Sequence, residues 1–273
     1  MQHAIGRMKQ LNGETLGQLQ YRACIRQLQE ALFAVVLAHA RCANAAKGNV
    51  VVKGMPTPVI DGHTTIGKDN IFFPFAAIGQ LTQDLKYKNE PTYLIIGDRN
   101  TFRENCTIHR STQPDTPTTI GDDNLFLCYS HVAHDCVIGN HCIFSNNAAL
   151  AGHVEVEDHV IVSGLSGVHQ FCRVGAHSII GGFTKVVKDV PPFTIADGNP
   201  AVIRGVNQIG LQRRGFANED VSFLRRAYKR VFLKKERNLS EVIAELKEAD
   251  CATNEHVQHL ISFIEASERG ITR

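Results

Sequence analysis

This 273-residue chain contains a regularly spaced group of residues whose side chains could carry out proton transfer. His134, Gly152 and Gln170 are eighteen residues apart, and Asp135 and His153 directly follow the first two. An imidazole can take up a proton near neutral pH when a carboxylate supports it. A glycine lets a substrate approach the backbone, where an N–H group can stabilise an oxyanion. The five residues therefore predict a general-base pocket.

A zinc site is the alternative chemistry for the same part of the chain. His131 precedes His134 by three residues, so His131, His134 and His153 could supply three ligands to a catalytic metal. Spacing alone does not separate such a site from a metal-free general base.

A six-residue apolar period explains how residues eighteen apart can meet. Neither a helix nor an ordinary strand repeats every six residues, whereas a hexapeptide β-helix does. Three hexads form one coil, and coils stack at about 4.8 Å. The sequence therefore predicts a left-handed parallel β-helix in which His134, Gly152 and Gln170 form one column. The apolar positions are Ile60, Ile66, Phe72, Ile78, Ile96, Phe102, Ile108, Ile120, Phe126, Val132, Ile138, Phe144, Leu150, Val156, Val162, Val168, Val174, Ile180 and Val186.

A second inward-facing position follows four residues after most of these and is usually small. Four of the eight cysteines fall on it, and no cysteine belongs to a Cys-x-x-Cys pair. Because a free cysteine packs as a small hydrophobe, packing explains these thiols and predicts a reduced, cytoplasmic protein. The small positions are Ala76, Cys106, Ser130, Cys136, Cys142, Ala148, Ser166, Cys172, Ser178 and Thr184. The remaining histidines of the repeat, His141, His159 and His177, are predicted to be surface residues at coil corners.

The chain divides into three regions that differ in their hydrophobic pattern. Residues 1–55 carry no hexad and form an atypical segment that is predicted to be helical. Residues 56–204 are the β-helix, and residues 205–273 form a C-terminal helical domain. In that domain we expect helices to start at Asn218, Ser240 and Asn254.

Two insertions interrupt the hexads, one between Ile78 and Ile96 and one between Ile108 and Ile120. A solenoid tolerates insertions at its corners, where they project as loops. Such loops carry function more often than structure, so we expect both to border the site.

Composition restricts the classes of partner. The net charge is +2, and no apolar stretch reaches the length of a membrane-spanning helix. The aromatic residues that would interleave with basic ones in a single-strand nucleic-acid groove are absent. We therefore expect neither an integral membrane segment nor a nucleic-acid partner.

Several segments resemble the UDP-N-acetylglucosamine 3-O-acyltransferase family, whose members catalyse the first step of lipid A biosynthesis. The resemblance extends from about residue 57 to the C-terminus and rests on six segments in order. These segments are Gln83-Asp84-Leu85-Lys86-Tyr87, Ile108-His109-Arg110, His131-Val132-Ala133-His134-Asp135-Cys136, Leu150-Ala151-Gly152-His153-Val154, Val168-His169-Gln170-Phe171-Cys172 and Arg213-Arg214-Gly215-Phe216.

The resemblance implies an activity and a role for each site residue. His134 would be the general base for the glucosamine 3-hydroxyl, Asp135 would support it, and the Gly152 amide would form the oxyanion hole. The donor would be a 3-hydroxyacyl chain on acyl carrier protein, and neither a cofactor nor a metal would be needed. Family members are homotrimers with sites between subunits, so loop and column residues would come from different chains. The residues implied to bind the sugar nucleotide are Asp84, Lys86, His131, His153, Gln170, Asn207, Arg213 and Arg214.

Two further features follow from the same resemblance. Gly182 matches the position of the residue that measures acyl-chain length, and a glycine there favours a longer chain. Ile209 stands where a glutamate that contacts uracil is often found. Independently of the resemblance, a cluster of cations in the C-terminal region is either a solvated helix face or a docking surface for the acidic acyl carrier protein; it includes Arg225, Arg226, Lys229 and Arg230.

Three other functions remain open from sequence. One is the N-acyltransferase of the same pathway, which is also a hexapeptide trimer. A second is a zinc-dependent solenoid of the carbonic-anhydrase type, and the third is a non-catalytic scaffold.

Overall fold

A computed structural model describes residues 50–53, 57–233 and 236–273. The helix predicted within residues 1–55 lies outside the described residues. Of that segment, only residues 50–53 are described.

Three parallel sheets form the body of the chain, and the chain visits sheets A, B and C in turn. Sheet A consists of β1 (Val51–Val52), β4 (Ile71–Phe72), β7 (Thr101–Phe102), β10 (Leu125–Phe126), β13 (Ile143–Phe144), β16 (Ile161–Val162), β19 (Ile179–Ile180), β21 (Thr194–Asp197) and the antiparallel β22 (Val202–Val206). Sheet B consists of β2 (Val59–Ile60), β5 (Ala77–Gln80), β8 (Thr107–His109), β11 (His131–Val132), β14 (Ala149–Leu150), β17 (Gly167–Val168) and β20 (Lys185–Val186). Sheet C consists of β3 (His63–Ile66), β6 (Tyr93–Ile96), β9 (Thr118–Ile120), β12 (Val137–Ile138), β15 (Glu155–Val156) and β18 (Arg173–Val174).

The apolar period fills the interior of this three-sided coil. Every marker from Ile66 to Val186 is at most 3% exposed, and the small positions four residues later are also buried. Phe72, Phe102, Phe126 and Phe144 stack coil on coil with ring centroids 4.8–4.9 Å apart and nearly parallel planes. This distance equals the spacing of hydrogen-bonded strands, so one side-chain stack repeats with the backbone ladder.

Strand register shows that both predicted insertions are loops. Ile78 pairs with Ile108 and Val132 pairs with Ile108, although these pairs are thirty and twenty-four residues apart instead of eighteen. The extra residues leave the coil after β5 and after β8 and return before β6 and β9.

The β-helix starts earlier than residue 56. Val51 and Val52 pair in parallel with Ile71 and Phe72, so the stack extends at least to β1. Sequence did not reveal this strand because both valines are exposed and Val52 lies twenty residues, instead of eighteen, before its partner Phe72.

In the described residues after the β-helix there are four α-helices, α1 (Gln208–Arg213), α2 (Asn218–Phe232), α3 (Leu239–Lys247) and α4 (Glu255–Glu265), with a 3₁₀ turn at Asp250–Thr253. The Asn254 cap is confirmed, since its side chain accepts hydrogen bonds from the amides of His256 and Val257. The predicted Ser240 cap is wrong. Asn238 is the cap, and its side chain accepts a hydrogen bond from the Ser240 amide. Among the described helices, none combines the length and the apolarity that crossing a bilayer requires.

Candidate functional site

The predicted column and both inserted loops lie along one edge of the β-helix. We call this edge the B–C corner, because it contains the turns in which the chain passes from sheet B to sheet C. His134 lies between β11 and β12, Gly152 between β14 and β15, and Gln170 between β17 and β18. The two loops leave the coil at the same corner. The fold therefore brings the long loops and the column together.

His134 and Asp135 form a hydrogen-bonded pair. The Nδ1 atom of His134 lies 2.7 Å from Oδ2 of Asp135, and their side chains are 14% and 6% exposed. With its proton on Nδ1, the imidazole keeps a lone pair on Nε2. The pair is thus arranged as a general base with an orienting carboxylate.

Two threonines that the sequence did not identify hold Asp135 in place. Thr112 donates to both carboxylate oxygens, from its amide at 2.9 Å and from its hydroxyl at 2.6 Å. The backbone amide of Asp135 donates to the buried hydroxyl of Thr118 at 2.8 Å. Burial by itself would raise the pKa of Asp135, but hydrogen bonds from His134 and Thr112 hold that pKa below its ordinary value. Asp135 is therefore held as a carboxylate.

Gly152 provides the space that the His134 ring occupies. A Cβ atom at residue 152 would lie 2.4 Å from Cε1 and 2.7 Å from Nε2 of His134, closer than real contacts allow. Among the described residues, no group accepts a hydrogen bond from the Gly152 amide. The same glycine therefore admits the imidazole and leaves a backbone donor beside it.

His153 extends the site toward the first loop. Its ring meets His134 edge-on at 5.2 Å between centroids and stacks on Phe171 at 4.6 Å. Burial lowers the pKa of His153, the charge of Asp135 opposes this, and the loop residues Asp84 and Lys86 also act on it. Asp84 is half-buried and Lys86 is exposed. The first loop of the same chain thus approaches the column closely enough to act by its charge.

His131 lies three residues before His134, on β11, and contacts residues of the neighbouring coil. Its Nδ1 atom lies 2.7 Å from the Thr107 hydroxyl, and its ring meets His109 edge-on at 4.9 Å. Burial and then the charge of His134 lower the pKa of His131. Burial also lowers the pKa of His109 to about 4. Gln170, the last member of the column, is exposed.

Asn207, Arg213 and Arg214 lie at a different edge of the chain. They border the C–A corner, where the chain passes from sheet C to sheet A. The Asn207 side chain is buried, donates to the carbonyl of His177 at 2.8 Å and caps α1 by accepting from the Gly210 amide. Arg213 is exposed and Arg214 is half-buried. One chain therefore does not bring these residues to His134, and Asn207 has a structural role in the turn.

The C–A corner also holds a ladder of stacked rings. His141, His159 and His177 follow one another with centroids 4.7 and 4.6 Å apart, and Phe193 continues the stack. These histidines were predicted to be plain surface residues, yet His177 is also covered by Phe216 at 4.9 Å. Burial, with the charges of His159 and Arg214, lowers the pKa of His177 to about 4.

This lowered pKa predicts a loss of stability in acid. His177 takes up a proton near pH 6.5 in the unfolded chain but only near pH 4 in the folded one. The free energy of unfolding is therefore highest above pH 6.5 and falls as the pH drops toward 4. We expect His177→Phe to remove about 1–2 kcal/mol of the loss between pH 7 and pH 5, because a phenyl ring keeps the stack without titrating. Phe171, Phe183 and Phe193 show that the same positive-φ turn position accepts phenylalanine.

Denaturant unfolding of both proteins at one protein concentration measures this difference. An identical acid loss in His177→Phe would contradict the assignment.

Gly182 lies at the third edge, the A–B corner between β19 and β20. A Cβ atom there would be 3.6 Å from the Gly164 carbonyl oxygen, which is ordinary contact. The surroundings therefore leave room for a side chain.

The side chains of the predicted docking cations differ in exposure and in ion pairing. Arg225, Lys229 and Arg230 are exposed on α2, whereas Arg226 forms an ion pair with Asp250 and lies over the Phe223 ring at 4.6 Å. Arg225 and Lys229 border a cavity of about 230 Å³ beside β22 and α1.

One cluster in the described part of the chain has the composition of a metal site. His134, Asp135 and His153 each offer one ligand atom, and these atoms lie within 4.8 Å of one another. His131, the third ligand of the predicted zinc alternative, is not among them.

Comparison with known proteins shows which family the chain belongs to. The family model "UDP N-acetylglucosamine O-acyltransferase, domain 2" matches residues 189–272, and "bacterial transferase hexapeptide (six repeats)" matches residues 117–152. The acyl-[acyl-carrier-protein]–UDP-N-acetylglucosamine O-acyltransferase of Burkholderia lata is 51% identical over 212 residues, 76% of this chain and 80% of that protein. The chain belongs to the UDP-N-acetylglucosamine O-acyltransferase family.

Solved structures of family members share the fold. The UDP-N-acetylglucosamine acyltransferase of Bacteroides fragilis is 37% identical with a TM-score of 0.78, covering 83% of this chain and 87% of that one. The Arabidopsis enzyme is 39% identical with a TM-score of 0.78, covering 83% of each chain. The predicted family and the left-handed parallel β-helix with C-terminal helices are thus confirmed.

Proposed function

We propose that this chain transfers a 3-hydroxyacyl group from acyl carrier protein to the glucosamine 3-hydroxyl of UDP-N-acetylglucosamine, the first step of lipid A biosynthesis. The observation that carries the proposal is the His134–Asp135 pair packed against Gly152, in a member of this family. The family relationship supports the substrates, and the pair supports the chemistry.

In the proposed reaction, Nε2 of His134 takes the proton of the 3-hydroxyl as its oxygen attacks the thioester carbonyl. Asp135 holds the ring in the required tautomer and stabilises the imidazolium that forms. The Gly152 amide donates to the oxyanion. The carbon–sulfur bond then breaks, the leaving thiolate receives the proton from His134, and the acyl ester remains on the sugar.

The residues around this pair would hold the acceptor. Asp84 and Lys86 approach from the first loop, while His131, His153 and Gln170 lie on the coils at the same corner. These polar side chains can form hydrogen bonds with the hydroxyls of a sugar, and Lys86 can pair with the phosphates of a sugar nucleotide.

The location of the arginines supports a homotrimer with sites between subunits. Arg213 and Arg214 border the C–A corner, so they can meet a sugar nucleotide at the B–C corner only if they come from a neighbouring copy. Asn207 would then act by shaping the turn that presents them. Sheet A also carries an outward apolar stripe that favours self-association; Leu125, Ile143, Ile161 and Ile179 are half-buried and follow one another in register, and Thr101 separates them from Ile71.

A cytoplasmic location fits the chemistry of the interior. Six cysteines of the described residues are unpaired, and burial raises the pKa of Cys136 and Cys142 to about 12. Such thiols suit a reducing compartment, in which they pack as neutral side chains.

Release of the carrier thiol tests the proposed reaction. With 3-hydroxyacyl carrier protein as donor, a thiol reagent should register turnover only when UDP-N-acetylglucosamine is present. Thiol release that is independent of the sugar nucleotide would show hydrolysis and contradict the proposal.

Acyl length should respond to residue 182. We expect Gly182→Met to shift donor preference toward shorter chains, since its side chain would enter the space that the glycine leaves open. The measurement compares kcat/KM across donors of several chain lengths. Gly167→Ala, where an added Cβ atom has no neighbour within 4 Å, is the control. An unchanged preference would refute this role for Gly182.

Carrier docking should depend on the exposed cations of α2. We expect Arg225→Glu with Lys229→Glu to raise the KM for the carrier-bound donor about tenfold at low salt, because the carrier is acidic and steering depends on charge. The effect should shrink as salt rises. Lys68→Glu, an exposed lysine at the C–A corner, is the matched control. Equal KM values for all three proteins would remove the docking assignment.

A further inference from the structure

The proposed base belongs to a cluster that also has the donor set of a zinc site. Oδ2 of Asp135 lies 2.7 Å from Nδ1 of His134 and 3.5 Å from Nε2 of His153. Two imidazole nitrogens with one carboxylate oxygen suit zinc and other borderline divalent ions, and do not suit magnesium or calcium.

The geometry needs little adjustment to hold an ion. Zinc binds these atoms at about 2.0–2.2 Å, so ligand atoms in a tetrahedral site lie somewhat more than 3 Å apart. One ligand atom of each residue lies within 4.8 Å of the other two, and the 2.7 Å contact between Nδ1 of His134 and Oδ2 of Asp135 must widen slightly to admit an ion. Thr112 holds the carboxylate and Gly152 confines the His134 ring, so two ligands are pre-positioned. The His153 side chain is 32% exposed, which leaves a path from solvent.

We propose that His134, Asp135 and His153 bind zinc and that the bound ion inhibits acyl transfer. The inhibition rests on the proposed function, whereas the binding does not. Nδ1 of His134 can bind a metal only by giving up its proton, and the neutral ring then carries its single proton on Nε2. Nε2 can no longer accept the proton of the sugar hydroxyl, so the ion blocks the base by reversing its tautomer.

Calorimetric titration of the full-length assembly with zinc chloride tests the binding. We expect one ion per chain and an affinity that falls at least about tenfold in His153→Gln, which keeps a polar side chain but loses the imidazole ligand. His63→Gln removes an exposed histidine from β3 and should bind zinc like the unchanged chain. Equal affinity in His153→Gln, or no binding, would overturn the site.

The activity test separates the two parts of the proposal. Zinc should inhibit thiol release at the concentrations that fill the site, and a chelator should restore the rate. Magnesium at the same concentration should have no effect. Binding of one ion per chain with an unchanged rate would overturn the tautomer mechanism. A chain that never turns over would contradict the proposed function and leave the binding result standing.

Discussion

Replacing His134 by alanine should lower kcat by about 10²–10⁴-fold, the usual contribution of a positioned general base. The KM for UDP-N-acetylglucosamine should change little, because in this account Nε2 acts mainly on the proton that moves in the transition state. Steady-state kinetics with both substrates varied gives the two constants separately.

The control for this prediction is His63→Ala. His63 is exposed on β3 in sheet C, where its ring contacts Tyr93. A loss in His63→Ala as large as that in His134→Ala would indicate a general effect on the fold. A His134→Ala chain that keeps its unfolding temperature and full activity would eliminate His134 as the base.

Gly152→Ala should have the second largest effect although it adds a single methyl group. The added Cβ atom would overlap the His134 ring, whose Cε1 atom is 2.4 Å away, so the ring must move. A displacement of about 1 Å in a reacting group costs roughly 100-fold in rate, and we expect kcat to fall by about that factor. Stability should change far less, since Gly152 is not at a positive-φ position.

The comparison with Gly167→Ala isolates the steric cause, because no atom lies within 4 Å of a Cβ at that position. We expect the activity of Gly167→Ala to match that of the unchanged chain. Full activity in Gly152→Ala would show that the close approach of Gly152 and His134 has no part in catalysis.

The body of the fold could be predicted from sequence because its period is set by the coil. Each apolar marker must face a narrow interior once every six residues, and the markers from Ile66 to Val186 are all buried. At the ends this constraint fades. Among the described residues, Val51 and Val52 pair only with Ile71 and Phe72; both valines are exposed, and they lie outside the phase of the six-residue period.

Spacing also predicted one part of the site. Residues eighteen apart share a corner in the uninterrupted coils, which placed His134, Gly152 and Gln170 together. The same arithmetic could have predicted the ladder of His141 and His159. It could not reveal that His177 is covered by Phe216, because that contact comes from the helical region, which has no hexads.

Thr112 and Asn207 mark what the period could not supply. Thr112 lies in an inserted loop whose path does not follow the hexads, so its contact with Asp135 depends on tertiary structure. Asn207 was expected to bind substrate by resemblance, yet its amide is used within the chain by His177 and Gly210. Sequence gives a residue's type, whereas its available hydrogen bonds depend on what surrounds it.

The proposed roles of these residues all depend on one reaction, the transfer of an acyl group to the 3-hydroxyl of UDP-N-acetylglucosamine. Its most direct test is product mass spectrometry, with fragmentation to locate the acyl group, after incubation with 3-hydroxyacyl carrier proteins of several lengths. We expect a mono-acylated sugar nucleotide esterified at the 3-oxygen, which is absent when His134→Ala replaces the unchanged chain. An acyl group on nitrogen, or no acylated sugar from a folded protein, would contradict it.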